Sequence, residues 1–187
     1  MPKKALRQMM LAKRRMLSSH AVTTASLIIQ KTFLGTAEFS KAEVLGLYAP
    51  YNNEVKTTYL MNQALILDKK VLFPVVFNDG LIFRRITDPT KLHPGFYGIL
   101  EPAASCTAYE IQSLDIVIVP GIAFDVHGRR IGYGKGFYDK ALHLFEGKGR
   151  LVAFCYDFQL VDEIIQEPHD VNMDIIVTEK RVIRPRF

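Results

Sequence analysis

Residues 114–139 read LDIVIVPGIAFDVHGRRIGYGKGFYD, and their order decides the fold. The opening seven, LDIVIVP, form a short run dominated by apolar β-branched side chains, the pattern of a strand covered on both faces. Helical spacing returns at residues 137–145, so the block predicts a strand, a glycine-rich loop and a helix. The same alternation extends outward. On the N-terminal side, helices are expected over 3–18 and 21–33, with Leu6, Met9, Met10, Met16 and Leu17 recurring near helical spacing. A buried strand follows at 43–49 (EVLGLYA), then a polar turn at Pro50-Tyr51-Asn52-Asn53 and a helix over 57–67. Strands at 71–77 and 81–86 flank an Asn78-Asp79-Gly80 reversal. Residues 87–113, with Pro89, Pro94, Gly95, Gly98 and Pro102, read as a long irregular region, and strands at 151–156 and 175–178 close the chain. Buried strands alternating with helices predict an α/β protein with a mostly parallel sheet. Ligands in such folds bind at the C-terminal ends of strands, which puts the loops after Ala49, Pro120 and Tyr156 on one functional edge.

The 187 residues suit one domain, residues 1–187, and their composition excludes disordered, collagen-like and coiled-coil classes. No run of eighteen apolar residues occurs, so no membrane-spanning helix is expected. The formal net charge of +5 is local: seven Lys and Arg and no acid precede Glu38, leaving 17 bases against 19 acids. A basic, acid-free start fits a nucleic-acid-binding segment or a transit peptide as well as a contact to a small anion. Against nucleic acid, the basic helix is short and carries no interleaved aromatics. Cys106 and Cys155 match no metal or redox spacing, which favours a reducing, cytoplasmic setting.

The chemistry concentrates in residues 119–139. Gly128, Gly132, Gly134 and Gly136 sit among Arg129, Arg130 and Lys135, between a strand and a helix start. Glycines allow positive φ and turn several N–H groups onto one anion, and the helix adds the positive end of its dipole. A solvated surface turn is the alternative. The spacing is neither a Walker loop, which needs Gly at Arg129 and Ser or Thr at Gly136, nor a dinucleotide loop, which needs Gly at Phe137. The residues by themselves indicate a phosphate site.

The block VPGIAFDVHGRRIGYGKGFYDKAL closely resembles the signature of the 5-formyltetrahydrofolate cyclo-ligase (methenyltetrahydrofolate synthetase) family. KKALR, LYAPYNNEVKT, FYGILEP and MDIIVTEKRVI agree in order, so the resemblance covers nearly the whole chain. It implies a three-layer α/β/α fold and ATP- and Mg2+-dependent closure of 5-formyltetrahydrofolate to 5,10-methenyltetrahydrofolate, with release of ADP and phosphate. The implied partners are these two small molecules and no nucleic acid or membrane, in a monomeric cytoplasmic protein whose N-terminal segment belongs to the mature enzyme.

By the same resemblance, Lys3, Lys4, Ala5, Leu6 and Arg7 form an ATP-contacting segment, for which a solvated basic face is the alternative. Arg130, Ile131, Gly132, Tyr133, Gly134, Lys135, Gly136, Phe137 and Tyr138 form the nucleotide loop, with Lys135 and Arg130 as the catalytic candidates. Residues 133–137 are shared with folate, joined by Ala49, Glu54, Phe96 and Tyr97. Glu54 suits the N–H donors of a pterin edge, and Gly95 and Gly98 allow close approach to Phe96 and Tyr97. Relatives vary at Tyr133 and Lys135, some carrying Arg and Gly there. Asp139 and Asp174 are the magnesium candidates; a helix first-turn charge and an ion pair are their alternatives. His127 reads as a solvent-facing turn residue, and His20, His93, His143 and His169 have no ligand spacing. A phosphate-ligand protein of other specificity on the same scaffold is the competing reading.

Overall fold

The computed structural model describes residues 2–78, 80–95, 98–145, 147–167 and 170–185. Chain order begins with helices α1 (Lys3–Arg15), α2 (Ser19–Leu34) and α3 (Ala37–Lys41). Strand β1 (Val44–Gly46), helix α4 (Thr58–Ile66) and the hairpin β2 (Lys70–Phe77) and β3 (Gly80–Ile86) follow. Then come β4 (Leu92–Pro94), β5 (Leu100–Pro102), β6 (Ala108–Tyr109), β7 (Ile116–Val119), β8 (Ala123–Asp125) and β9 (Arg130–Ile131). Helix α5 (Phe137–Phe145), β10 (Arg150–Phe154), β11 (Leu160–Val161), β12 (Ile175–Val177) and β13 (Val182–Ile183) complete the chain.

The eight-stranded sheet has the order β13-β12-β10-β7-β1-β2-β3-β6. Its five central strands run parallel, and β13, β3 and β6 add antiparallel edges. Alternation along β7 shows why the core has two halves. Ile116 and Ile118 pack among α2, α3 and α4, whereas Val117 and Val119 pack with Ala141, Leu142 and Phe145 of α5. Helices on both faces make the expected three-layer α/β/α architecture, and each fully buried aliphatic side chain contributes ~1.5–3 kcal/mol. Gly46 in β1 is a packing requirement, because a Cβ there would stand 2.6 Å from Leu114 Cδ2.

Local chemistry sets the ends of the elements. The first helix stops at Arg15, short of the expected residue 18, because Ser18 caps the next one: its side chain accepts from Ala21 N at 3.1 Å. Met16 is 87% exposed, so the apolar face of α1 is carried by Leu6 and Met10. Asn78 takes φ 45° and Phe77 pairs with Gly80, which supports the expected reversal; Asp79 lies outside the described residues. The region expected to be irregular contains the β4–β5 hairpin and the edge strand β6.

A small sheet of order β11-β8-β9 was not anticipated, since its strands have only two or three residues. It buries Ile122, Ala123 and Ile131 against Leu6 and Met10, with Ile164 alongside. That satellite core seats α1 beside the glycine-rich loop. Among the described residues, no helix is long and apolar enough to cross a membrane.

Candidate functional site

Along the parallel strands the order is β2-β1-β7-β10-β12, so the chain leaves β1 toward β2 on one side and reaches β7 on the other. The loops after β1 and β7 diverge at this switch, which opens a crevice at the C-terminal ends. A cavity of about 400 Å³ lies there, and Tyr48, Ala49, Pro120 and the loop 132–136 line it.

One end of the cavity is built around Glu54. After β1 the chain turns through Asn52 and Asn53, at φ 49° and 57°, positions that asparagine tolerates better than branched residues. The turn brings Glu54 back under the loop, where it is only 6% exposed. Its Oε2 accepts from Tyr51 N at 2.9 Å, and its Oε1 accepts from the Tyr133 hydroxyl at 3.0 Å. The Arg14 guanidinium lies 3.9 Å from Oε1 and donates to the Tyr133 hydroxyl. Burial pushes the Glu54 carboxyl above its ordinary value, and Arg14 is the main group opposing it. Burial also raises Tyr133 and Tyr138, which keeps both phenols neutral.

The other end is the loop and the start of α5. Gly134 and Gly136 have φ of +87° and +75°, as the anion-loop reading required. Arg7 donates from Nε to Gly132 O at 2.9 Å, and Lys135 is exposed at the rim. Arg130 is 8% exposed, donates to Pro120 O at 3.1 Å and pairs with Asp139 in the first turn of α5. Burial lowers the Arg130 guanidinium below its ordinary value, and Asp139 opposes that effect. Basic side chains, the glycine-rich loop and the N-terminus of α5 therefore line one side of the cavity. Pro74, Val76, Leu81, Ile99 and Leu100 supply an apolar wall suited to a flat ring.

The structure brings Ala49, Glu54, Arg130, residues 132–138 and Asp139 together around the cavity. Phe96 and Tyr97 lie outside the described residues, and beside them Gly95 accommodates the Glu101 carboxylate, which a Cβ would meet at 2.5 Å. The N-terminal segment divides. Lys4 and Ala5 are exposed, whereas the side chains of Leu6 and Ile131 pack in the satellite core. Lys3 bonds Asp170 at 2.8 Å and Glu167 at 3.2 Å.

Asp139 and Asp174 do not form a shared metal site. Asp174 sits at the N-terminal ends of β10 and β12, the opposite end of the sheet, where it accepts from Leu151 N at 2.7 Å and pairs with Arg150 at 3.0 Å. Arg129, grouped with the phosphate bases in the sequence, instead bonds Glu163 and Ile164 O, at 3.0 and 2.8 Å. His127 is exposed, as expected. Helical spacing in the sequence puts Arg14 on one side of the first helix with Lys3 and Arg7 but assigns it no role, and Asp170 carries no signal of its own.

Fold and site together define a doubly wound α/β protein that presents a glycine-rich basic loop and a buried carboxylate to one crevice. The sequence profile of the 5-formyltetrahydrofolate cyclo-ligase family matches residues 1–179. The 5-formyltetrahydrofolate cyclo-ligase of Mycolicibacterium smegmatis is 36% identical over 142 residues, 73% of each chain. That of Escherichia coli K12 is 30% identical over 146 residues, 75% of this chain and 80% of its own. The solved structure of Aquifex aeolicus 5,10-methenyltetrahydrofolate synthetase superposes with a TM-score of 0.90 and 33% identity, over 100% of this chain and 94% of that one. The chain belongs to the 5-formyltetrahydrofolate cyclo-ligase family, ATP-dependent ligases that convert 5-formyltetrahydrofolate to 5,10-methenyltetrahydrofolate.

Proposed function

We propose that residues 1–187 form one catalytic unit whose cavity holds both substrates, the nucleotide phosphates at the loop 132–136 and the pterin between Glu54 and the apolar wall. The observation that carries this reading is the convergence of the glycine loop, the α5 N-terminus and the buried Glu54 on one cavity. A formyl amide is a poor electrophile. Transfer of the γ-phosphoryl group to the formyl oxygen gives an imidate phosphate and ADP. Attack by the second folate nitrogen on the formyl carbon then closes the ring, that nitrogen gives up its proton, and the C–O bond breaks to release phosphate. Such transfer depends on positioning and charge neutralisation, and the sequence needs no protein nucleophile.

In this reading Lys135 and Arg130 neutralise charge on the transferring group, with Arg7, Lys3 and Lys4 along the nucleotide. Ala49 and Tyr133 bound the pterin, and Glu54 accepts from its N–H edge. Magnesium, when bound, would offset phosphate charge. Asp139 fits it, because one or two carboxylates with phosphate oxygens and water suffice for this ion. Asp170, which bonds Lys3 and acts electrostatically on Arg130, is better placed than Asp174 to be a second carboxylate. A cytoplasmic monomer that binds neither nucleic acid nor membrane belongs to the same reading. Its support is that the positive excess is confined to the residues before Glu38, the remainder carrying 17 bases against 19 acids, and that both cysteines are free.

Mixing the protein with 5-formyltetrahydrofolate, ATP and magnesium, and following the near-ultraviolet absorbance of the methenyl product, tests the reading. Product is expected only with ATP present, and is lost on chelation of the metal and restored by its return. Glu54→Gln is expected to weaken folate binding while ATP binding persists. Unchanged folate affinity in that variant removes Glu54 from the pterin site.

A further inference from the structure

Helix α1 touches the glycine loop at two successive residues. Arg7 holds Gly132 O, and two turns later, about 10 Å along the axis, Arg14 holds the Tyr133 hydroxyl. Arg14 is the unusual member. Basic side chains are rarely fully buried unless paired, yet this one is 1% exposed. Its donors reach three separate segments: Nε to Asn52 O at 2.8 Å after β1, Nη1 to Gly121 O at 3.2 Å after β7, and Nη2 to Tyr133 in the loop. These are the two diverging loops of the crevice and the loop that covers it. Asn53 adds a return bond, donating from its side chain to Arg14 O at 3.1 Å.

We propose that Arg14 is a positioning residue for the cyclo-ligase reaction. Through its own charge and through Tyr133 it orients the Glu54 carboxylate toward the pterin, and it fastens the folate end of the cavity to the helix that carries Lys3, Lys4 and Arg7. This rests on the assignment of Glu54 to the folate site. The groups that act on Glu54 from the surrounding elements are Arg14 of α1, Tyr133 of the loop, Tyr48 after β1, Tyr138 of α5 and Tyr156 after β10. The four phenols are all raised by burial and stay neutral in the working range, so Arg14 is the cationic member of this set. A buried carboxylate facing phenols alone would hold its proton and present a donor where the pterin needs an acceptor. The link to α1 also implies that nucleotide bound by the N-terminal bases tightens folate binding, because both depend on the same seating of one helix.

The experiment measures 5-formyltetrahydrofolate affinity between pH 5.5 and 9, with and without a non-hydrolysable ATP analogue, for the parent protein and for Arg14→Met, Arg14→Lys, Tyr133→Phe and Glu54→Gln. Folate affinity falls on the acid side as Glu54 takes a proton. Removing the opposing charge raises the pH at which this happens, so in Arg14→Met the acid limb moves up by about 1–3 pH units. Arg14→Lys returns the limb toward the parent position, and Tyr133→Phe moves it by a smaller step in the same direction as Arg14→Met. The affinity gain given by the analogue shrinks in Arg14→Met. A folded Arg14→Met with the parental limb and the parental gain overturns the proposal. Should Arg14→Met fail to fold, Tyr133→Phe decides, since it removes a single oxygen: a parental limb in that variant equally overturns the proposal. If Glu54→Gln binds folate like the parent at every pH, the underlying assignment fails instead, and the proposal goes with it.

Discussion

Residues 126–130 and 132–136 are alike in composition, each setting glycine beside basic side chains, yet the fold uses them in opposite ways. In the first, the buried Asp125 carboxylate accepts from the backbone N–H groups of His127, Arg129 and Ile164 at 3.0, 3.0 and 2.9 Å. Arg129 is directed to the 163–164 segment, and Gly128 takes φ +84° where a Cβ would meet Met173 O at 2.5 Å. That turn is internal scaffolding. In the second, Gly134 and Gly136 turn the backbone toward a cavity, and a Cβ on Gly136 would meet nothing within 4 Å. Glycine and positive charge indicate a ligand site only where the surrounding protein leaves them facing open space.

The largest expected effect lies in the first turn. Asp125→Ala leaves three backbone N–H groups without their acceptor, that of Ile164 buried and those of His127 and Arg129 partly so, at ~1–3 kcal/mol for a buried group. A loss of about 3 kcal/mol or more, read as a fall of roughly 6–12 °C in melting temperature, is the expected outcome. An unchanged melt would erase the distinction between the two turns. Lys135→Ala should do the converse. Turnover falls about 10- to 100-fold, the scale of one lost hydrogen bond to a charged group, while the melting temperature stays within about 1 °C.

The glycines sharpen the contrast further. Gly128→Ala and Gly136→Ala both place a side chain at positive φ, at ~1–2 kcal/mol, but only Gly128→Ala adds a clash. Denaturant melts should rank Gly128→Ala as clearly the less stable; equal losses would count against the assigned roles. Carboxylates divide in a parallel way when stability is followed between pH 3 and 8. Hydrogen bonds from Arg181 hold Asp157 below its ordinary value of 3.8, so its contribution is present above that pH and is lost as pH falls through the lower folded value. Arg181→Met weakens that dependence, leaving the smaller effects of Thr178 and Lys180. Glu54 has the opposite sign: burial raises its pKa above 4.5, so ionisation costs the folded state stability as pH rises through the raised value. Glu54→Gln should therefore be no less stable than the parent at pH 8, despite its weaker folate binding. His127→Ala, on the exposed tip of the first turn, should change stability by less than about 0.5 kcal/mol and leave turnover unaltered.

Much of the fold was legible because its signals are local. Helix α5 coincides with the expected 137–145, and α4 differs from 57–67 by one residue at each end. Short elements were not legible. The strands of the small sheet are too brief to show a period, and they exist because α1 covers them. Of the residues the motifs indicate, Glu54, Lys135, Tyr133 and Asp139 line the cavity, whereas Asp174 lies at the other end of the sheet. Arg14 stood inside Lys13-Arg14-Arg15, where bases at a helix C-terminus need no further reason than the dipole. Burial singles it out, since Lys13 and Arg15 are exposed.

The sequence by itself determined the strand–loop–helix at residues 114–145, the parallel α/β class and the family, because side-chain period and motif order are properties of neighbouring residues. Only the tertiary structure decided how the charges are used. Tyr133 meets Glu54 across 79 residues and Arg14 across 119, and Lys3 meets Asp170 across 167. Such pairs depend on where the chain crosses itself, and the switch in strand order between β1 and β7 made the crossing that gathers them.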